Sequence, residues 1–344
     1  MIPHGANQHA VTASLRPPRR WTYLVTGLAA LALAGCGEGD GPLVLKVAHN
    51  GSPDHPYQAG FERFKEIIER DTGGAVQVQI FENGQLGTEE EASIMVKLGA
   101  LAASAASAGG GLGSFVPEAE AFNLPFVFRD MPHFYRVLDG APGQRVAEAV
   151  DERLDAIVLG WWFSGVRNTW NGDRPVRTPE DLAGLKIRVM ASPVLVQAFQ
   201  ALGAQATPMS FGELYSALEQ GVVDGAETDH VDLLYERFYE VTQYVSLTEH
   251  MYLAAALVFS RKVFDRLPED VQAVVLRAGR ESTIAQRQAM ETATLDALAE
   301  LQAMGTLEFL PVDRSLFQAR VRAVYEANAE RVGGMEVIDE IAAY

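Results

Sequence analysis

Little in this 344-residue chain can cross-link it, carry it through a membrane or grip nucleic acid. There is one cysteine, Cys36, so no disulfide can form within the chain. Basic residues are scarce, with 28 Lys and Arg against 45 Asp and Glu. The field needed to hold a phosphate backbone is missing, and nucleic acid is excluded as a partner. The apolar run from Trp21 to Ala34 falls short of the roughly 20 residues a spanning helix needs. Neither H-E-x-x-H, G-x-S-x-G nor a phosphate-loop pattern occurs. The glycine cluster Gly109-Gly110-Gly111-Leu112-Gly113 has neither the spacing nor the strand-to-helix setting of a nucleotide loop.

The opening segment lacks acids altogether. Arg16, Arg19 and Arg20 precede the apolar run, which ends in Leu33-Ala34-Gly35-Cys36. Residues 1–35 therefore read as an export signal. The four residues at its end resemble the lipobox of bacterial lipoproteins, in which the cysteine is acylated and becomes the first mature residue. The alternatives are an uncleaved anchor or a plain signal peptide with an incidental cysteine. Arg19-Arg20 leaves the general and twin-arginine export routes both open. Removing these three arginines from the 28 basic residues leaves 25 against 45 acids, a net charge of −20. Such a body repels anions, so an anionic ligand would have to be held by local arginines.

Residues 36–42 read as a short flexible tether. The whole chain of 344 residues exceeds what one hydrophobic core usually supports, and two lobes are expected. Leu43–Ala48 and the alternating Val76, Val78 and Ile80 read as strands, the first buried on both faces. Tyr57, Phe61, Phe64, Ile67 and Ile68 recur at helical spacing, and Thr88 with Glu91 forms a capping box for the next helix. Ala156–Trp162 and Leu185–Met190 are further apolar strands. Ser192-Pro193 and Ser210 with Glu213 open helices, and Val222-Val223-Asp224 begins one more strand. Repeated β-α units with short loops imply mostly parallel sheets covered by helices. Long helical segments follow, from Glu269 to Met304 and from Ser315 to Val332. The small residues between Gly99 and Ser114 fit close backbone packing near a cleft.

Two arginines carry the candidate chemistry. Arg188 lies near the carboxyl end of an apolar strand, just before a proline-started helix, where open α/β sheets bind ligands. A guanidinium there matches a carboxylate bidentately; the competing reading is an internal salt bridge with one of the many acids. Arg167, after the strand ending in Trp161-Trp162, poses the same choice. Trp161, Trp162, Phe163, Trp170 and Phe211 read mainly as core, with one or two available as cleft walls. Glu227, Asp229 and His230 can be drawn as a metal cluster, yet residues this close are more often loop polar groups. No metal, cofactor or catalytic residue is assigned.

Several stretches resemble one family. They are Leu45–Asn50 with His55-Pro56, Asn83–Gly87, Phe122–Asp130, Arg174–Val189, Leu202–Pro208, Glu213–Leu218, Gln220–Gly225 and Lys262–Asp270. In this order, over about residues 43–335, they are similar to the extracytoplasmic solute receptors of tripartite ATP-independent periplasmic (TRAP) transporters. The resemblance implies a two-lobed, periplasmic-binding-protein-like α/β fold with a hinge and one long helix spanning both lobes. The lobes would comprise 43–164 with 252–290, and 165–251 with 291–344. It implies a small organic-acid ligand held by Arg188 of the K-I-R-V strand, with Arg167 as a second cationic contact. Asn50, Ser107 and Phe211 fall at ligand-contacting positions. Where the family commonly carries D-G-Q-E-N, this chain has Asp224-Gly225-Ala226-Glu227-Thr228. Thr228 has a shorter reach than asparagine, which puts a C4-dicarboxylate in doubt and favours a sugar, hydroxy or oxo acid equally. Glu227 and Asp229 are added as contacts, Asp229 being either cleft wall or helix-start polar group. The implied partners are membrane permease subunits and, through Cys36, the membrane of the periplasm. A ligand-sensing receptor subunit and an envelope enzyme on the same lobes are the rival readings.

Overall fold

Strand and helix alternate through residues 41–344, the part of the chain that the computed structural model describes. The expected export signal 1–35, the expected lipidation site Cys36 and the expected tether as far as residue 40 lie outside the described residues. The strands are β1 (Leu43–Ala48), β2 (Val76–Phe81), β3 (Ala103–Ser107), β4 (Ala156–Asn171), β5 (Lys186–Val189), β6 (Gln205–Pro208), β7 (Gly225–Thr228), β8 (Tyr244–Ser260) and β9 (Glu308–Pro311). They form one mixed sheet in the order β2-β1-β3-β8-β4-β7-β5-β6, with β9 also paired to β8.

The helices are α1 (Pro56–Asp71), α2 (Glu89–Leu98), α3 (Met131–Asp139), α4 (Ala141–Leu154), α5 (Pro193–Ala201), α6 (Leu214–Glu219) and α7 (His230–Tyr235), followed by α8 (Arg261–Phe264), α9 (Glu269–Met304), α10 (Arg314–Asn328) and α11 (Met335–Ala343). The expected stop and start signals act at several of them. The Thr88–Glu91 capping box opens α2, Gly99 closes it in the left-handed conformation, and Ser192 caps α5. The Ser210–Glu213 box does not form. Ser210 Oγ donates to the Glu213 carboxylate, a short 3-10 turn intervenes, and α6 starts only at Leu214. The strand expected at Val222 begins three residues later, at Gly225. β1 is also more exposed than expected, because Leu43 and Val44 face solvent.

The outer strands are parallel, as β-α alternation requires: β1 with β2 and β3, and β5 with β6 and β7. The central pair is not. β4 and β8 are long antiparallel strands that run through both halves of the sheet. Their ladder breaks in the middle. Phe163 pairs with Ala254 and Val166 with Tyr252, so Ser164 and Gly165 oppose the single Leu253. It breaks again between Arg167–Met251 and Thr169–Ser246, where residues 247–250 leave the ladder. Gly165 is needed at the first break: its φ is +86°, and a Cβ there would lie 2.3 Å from the Asp229 side chain.

This broken joint divides a two-lobed α/β fold. β2-β1-β3, with the C-terminal part of β8 and the N-terminal part of β4, form one lobe, while β7-β5-β6 with the other ends of β4 and β8 form the second. The 36-residue α9 packs against α1 on one side and α7 on the other. Its Gln286 clasps the joint, donating to Phe163 O at 2.7 Å and accepting from Phe163 N at 3.0 Å. α11 packs between α4 and α10, with Arg145 of α4 paired to Glu340 at 2.8 Å and His133 Nε2 of α3 2.8 Å from Ile341 O.

Candidate functional site

The carboxyl ends of β1, β3 and β5 and the β4–β8 joint converge on one cleft of about 690 Å³. Asn50, His55 and Tyr57 line it from the β1–α1 connection, Glu89 from the start of α2, and Ser107 and Gly110 from the end of β3. Ser164, Arg167 and Leu253 form its back at the joint. Arg188 and Met190 enter from β5, Phe211 from beyond β6, and Asp232 and Glu236 from α7 and its end. The close packing expected of the small-residue stretch is realised here. β3 is buried throughout, and a Cβ on Gly111 would lie 2.8 Å from Ala106 Cα.

Arg188 is 2% exposed. Its Nε and Nη2 both donate to Met209 O, at 3.0 and 2.7 Å, and Nη1 has no partner. The guanidinium carbon stands 6.0 Å from the Phe211 ring centre. Among the described residues no carboxylate oxygen comes within salt-bridge reach of it. Burial pulls its pKa down to about 10, with Glu227 opposing the fall, so it remains a cation at neutral pH. It is a buried positive charge whose Nη1 is free to donate, at the wall of a cavity.

Arg167 is different. Its Nε meets the Glu227 carboxylate and its Nη2 meets Glu227 O, both deep in the protein. Burial alone would lower its pKa, but Glu227 reverses that and raises it above the usual value. In return, burial of Glu227 is outweighed by Arg167 and then His250, and its pKa falls to about 2. The internal ion pair weighed as the alternative for both arginines therefore describes Arg167 and not Arg188.

Five of the residues expected at the site line the cleft: Asn50, Ser107, Arg167, Arg188 and Phe211. Glu227, Thr228 and Asp229 lie behind its wall. Glu227 holds Arg167; Thr228 Oγ1 donates to Asp232 Oδ2 at 2.5 Å; Asp229 Oδ1 caps α7 by accepting from Val231 N and Asp232 N. His230 Nε2 lies 3.5 Å from Asn168 Nδ2, so the suggested metal cluster is dispersed among other partners.

Sequence reading missed Glu89, Asp232, Glu236, His55 and Tyr57. Glu89 was legible only as the residue inside a capping box, and its aim across to Ser107 is a tertiary fact. Ser107 Oγ donates to Glu89 Oε2 at 2.5 Å. Burial raises the Glu89 pKa to about 7 and lowers that of His55 to about 4. Two contacts join the β1–α1 connection to α7 and its end across the cleft: Ser52 N donates to Glu236 Oε1 at 3.0 Å, and His55 Nε2 lies 3.6 Å from Asp232 Oδ1.

A two-lobed fold, jointed at its centre and holding an unpaired guanidinium at the cleft, defines a class of solute-binding proteins. The chain belongs to the bacterial extracellular solute-binding proteins of family 7, the solute receptors of TRAP transporters, whose family model matches residues 47–331. It is 34% identical over 274 residues to a solute-binding protein of Chromohalobacter salexigens, covering 80% of this chain and 81% of that one. A TRAP periplasmic solute-binding protein from a Sulfitobacter species, solved with β-D-galacturonate, superposes with a TM-score of 0.84 at 31% identity, covering 88% of this chain and all of that one. Another, from Sulfurospirillum deleyianum with bound succinate, gives 0.84 at 33% identity, covering 88% and 99%. Among the described residues, no helix is long and apolar enough to cross a membrane.

Proposed function

We propose that this receptor takes up a small organic acid by docking its carboxylate on Arg188 and delivers it to the permease subunits of its transporter. The observation that carries the reading is Arg188 itself: a buried cation without a carboxylate partner, its Nη1 unsatisfied, at the wall of the cleft. Natural proteins rarely leave a buried charged donor unpaired, because doing so is costly. A ligand carboxylate supplies the missing partner in a bidentate, charge-assisted geometry. Arg167 serves as a positioned hydrogen-bonding group whose charge Glu227 already balances. Asn50, Ser107 and Phe211 contact the remainder of the ligand, and Glu227, Thr228 and Asp229 act from behind by fixing Arg167, Asp232 and α7.

Binding works by closure. Segments 43–164 with 252–290 form one moving body and 165–251 with 291–344 the other; the broken β4–β8 ladder at 163–166 and 251–254 supports this division. A ligand that touches both lobes only when they are shut shifts the population toward the closed state. The receptor does no chemistry on its cargo. Cys36 is acylated and tethers the body at the membrane, which mass spectrometry of the mature protein tests directly.

Titration calorimetry against organic acids, wild type beside Arg188→Ala, tests the central claim. A bound acid should lose at least about tenfold in affinity in the variant. Unchanged affinity refutes the docking role. Recovery of an altered ligand would overturn the binding-only reading.

A further inference from the structure

Two of the contacts across the cleft are made by protein atoms alone. Ser52 and His55 belong to the β1–α1 connection, which leaves the lobe of β2-β1-β3. Asp232 lies in α7 and Glu236 caps its end, just beyond β7 of the other lobe. Ser52 N donates to Glu236 Oε1 at 3.0 Å. Glu236 stands where a carboxylate is poorly placed: the carbonyls of α7 point toward it, and Asp232 lies one turn away with the same charge. Burial and then Asp232 raise its pKa, and Ser52 opposes the rise. Arg237, the next residue, pairs instead with Glu240 at 2.6 Å. The hydrogen bond that steadies Glu236 thus comes from across the cleft. The second contact is aimed in the same way. His55 Nδ1 accepts from Tyr57 N at 3.1 Å, which leaves the proton of the neutral ring on Nε2. That N–H faces Asp232 Oδ1 at 3.6 Å, while Thr228 Oγ1 holds Asp232 Oδ2 at 2.5 Å.

Resting on the reading that binding works by closure, we propose that Glu236 and Asp232 form, with Ser52 and His55, a latch through which the receptor itself favours the shut cleft, whatever its cargo. No ligand atom takes part in either contact, so the latch biases empty and loaded receptor alike toward the closed state. Its effect on ligands is uniform, whereas Arg188 discriminates among them by charge. Release requires the ligand's own contacts and the latch to break together. The latch therefore slows the escape of any cargo and lengthens the time in which a loaded receptor can meet its permease. One charge-assisted hydrogen bond and one longer contact bias the equilibrium without locking it, which a receptor that must reopen requires. The division of labour is then spatial. Arg188 at the end of β5 recognises the acid, and the β1–α1 connection with α7 holds the lobes together over it.

The test is small-angle X-ray scattering on the full chain without added ligand, comparing wild type, Glu236→Ala and Glu236→Gln. Alanine removes the acceptor; glutamine keeps one for Ser52 N and serves as the conservative rescue. The expected result is a larger radius of gyration in Glu236→Ala, with Glu236→Gln close to wild type. Hydrogen exchange in residues 50–57 should quicken at least about tenfold in the alanine variant, the factor that one hydrogen bond to a charged group is worth. A merely structural glutamate would lower the melting temperature without expanding the particle, and equal radii for wild type and Glu236→Ala overturn the latch. Adding D-galacturonate or succinate to the same samples keeps the two readings apart. If the radii are equal beforehand and either probe contracts both proteins, closure stands and only the latch is lost. If neither probe nor substitution changes the radius, closure falls and the latch with it.

Discussion

Replacing Arg188 by alanine should separate binding from folding, because this residue makes its main energetic contribution only when ligand is present. Arg188 is 2% exposed, and its guanidinium has no carboxylate partner among the described residues and donates two hydrogen bonds to Met209 O. Holding such a cation out of water is unfavourable, as its depressed pKa of about 10 registers. Deleting it removes that cost and frees a carbonyl at a cleft where water can replace the lost donor. The unliganded variant should therefore melt at or above the wild-type temperature. With ligand present, truncating one partner of a desolvated, hydrogen-bonded charge pair costs about 2–5 kcal/mol. At about 1.4 kcal/mol per decade this is a loss of roughly thirtyfold to several thousandfold in affinity. Differential scanning calorimetry with and without ligand reads both quantities, since the ligand-induced rise in melting temperature reports affinity. A variant that melts well below the wild type while keeping its ligand-induced shift would show that Arg188 is structural and refute the reasoning.

Glu227→Gln should do the reverse: it strands the buried Arg167 without its counter-charge, and urea unfolding should show a loss of about 3 kcal/mol or more; no loss would mean that the pair contributes nothing net. Gly165→Ala forces a non-glycine residue to φ +86° against Asp229, and the same assay should register a loss of about 1–3 kcal/mol. Glu120, fully buried and hydrogen-bonded by Ser192 and Asn123 with Arg331 nearby, has its pKa raised by burial to about 7. The folded state thus holds its proton where the unfolded state has lost it, and its ionisation costs stability progressively as pH rises from about 4.5 to 7. Relative to wild type, Glu120→Gln should gain on the order of 3 kcal/mol across that window, and a pH-independent difference would refute the assignment. Glu89 gains its proton below about pH 7, because burial outweighs the Ser107 hydrogen bond and the charge of Arg188. Binding of an anionic ligand that comes to lie beside Glu89 should therefore strengthen as pH falls through 7, and a flat profile would place the ligand's charge away from Glu89.

Much of the fold was legible, because the signals that encode it are local. The 3.6-residue spacing of Phe61, Phe64 and Ile68 and the Thr88–Glu91 box fix helices wherever the chain carries them. The antiparallel β4–β8 pair was not legible. Its two strands lie more than seventy residues apart, and the glycines and register shifts at its joint look in sequence like strand ends. That is why Arg167 read as a residue just beyond a strand, when it lies inside one that bends. The site divides along the same line. That Arg188 and Arg167 matter follows from position, but which of them is free depends on whether a carboxylate lies within reach, and Glu227 is sixty residues from Arg167. In sequence, Arg167 and Arg188 carry the same charge and stand at similar points in similar motifs. Only the β4–β7 pairing, which sets Thr169 opposite Glu227 and Asn168 opposite Thr228, brings that acid to one arginine and withholds it from the other. The docking point hangs on this asymmetry: Glu227 already occupies Arg167, so Arg188 is the guanidinium that meets the cleft without a carboxylate partner among the described residues.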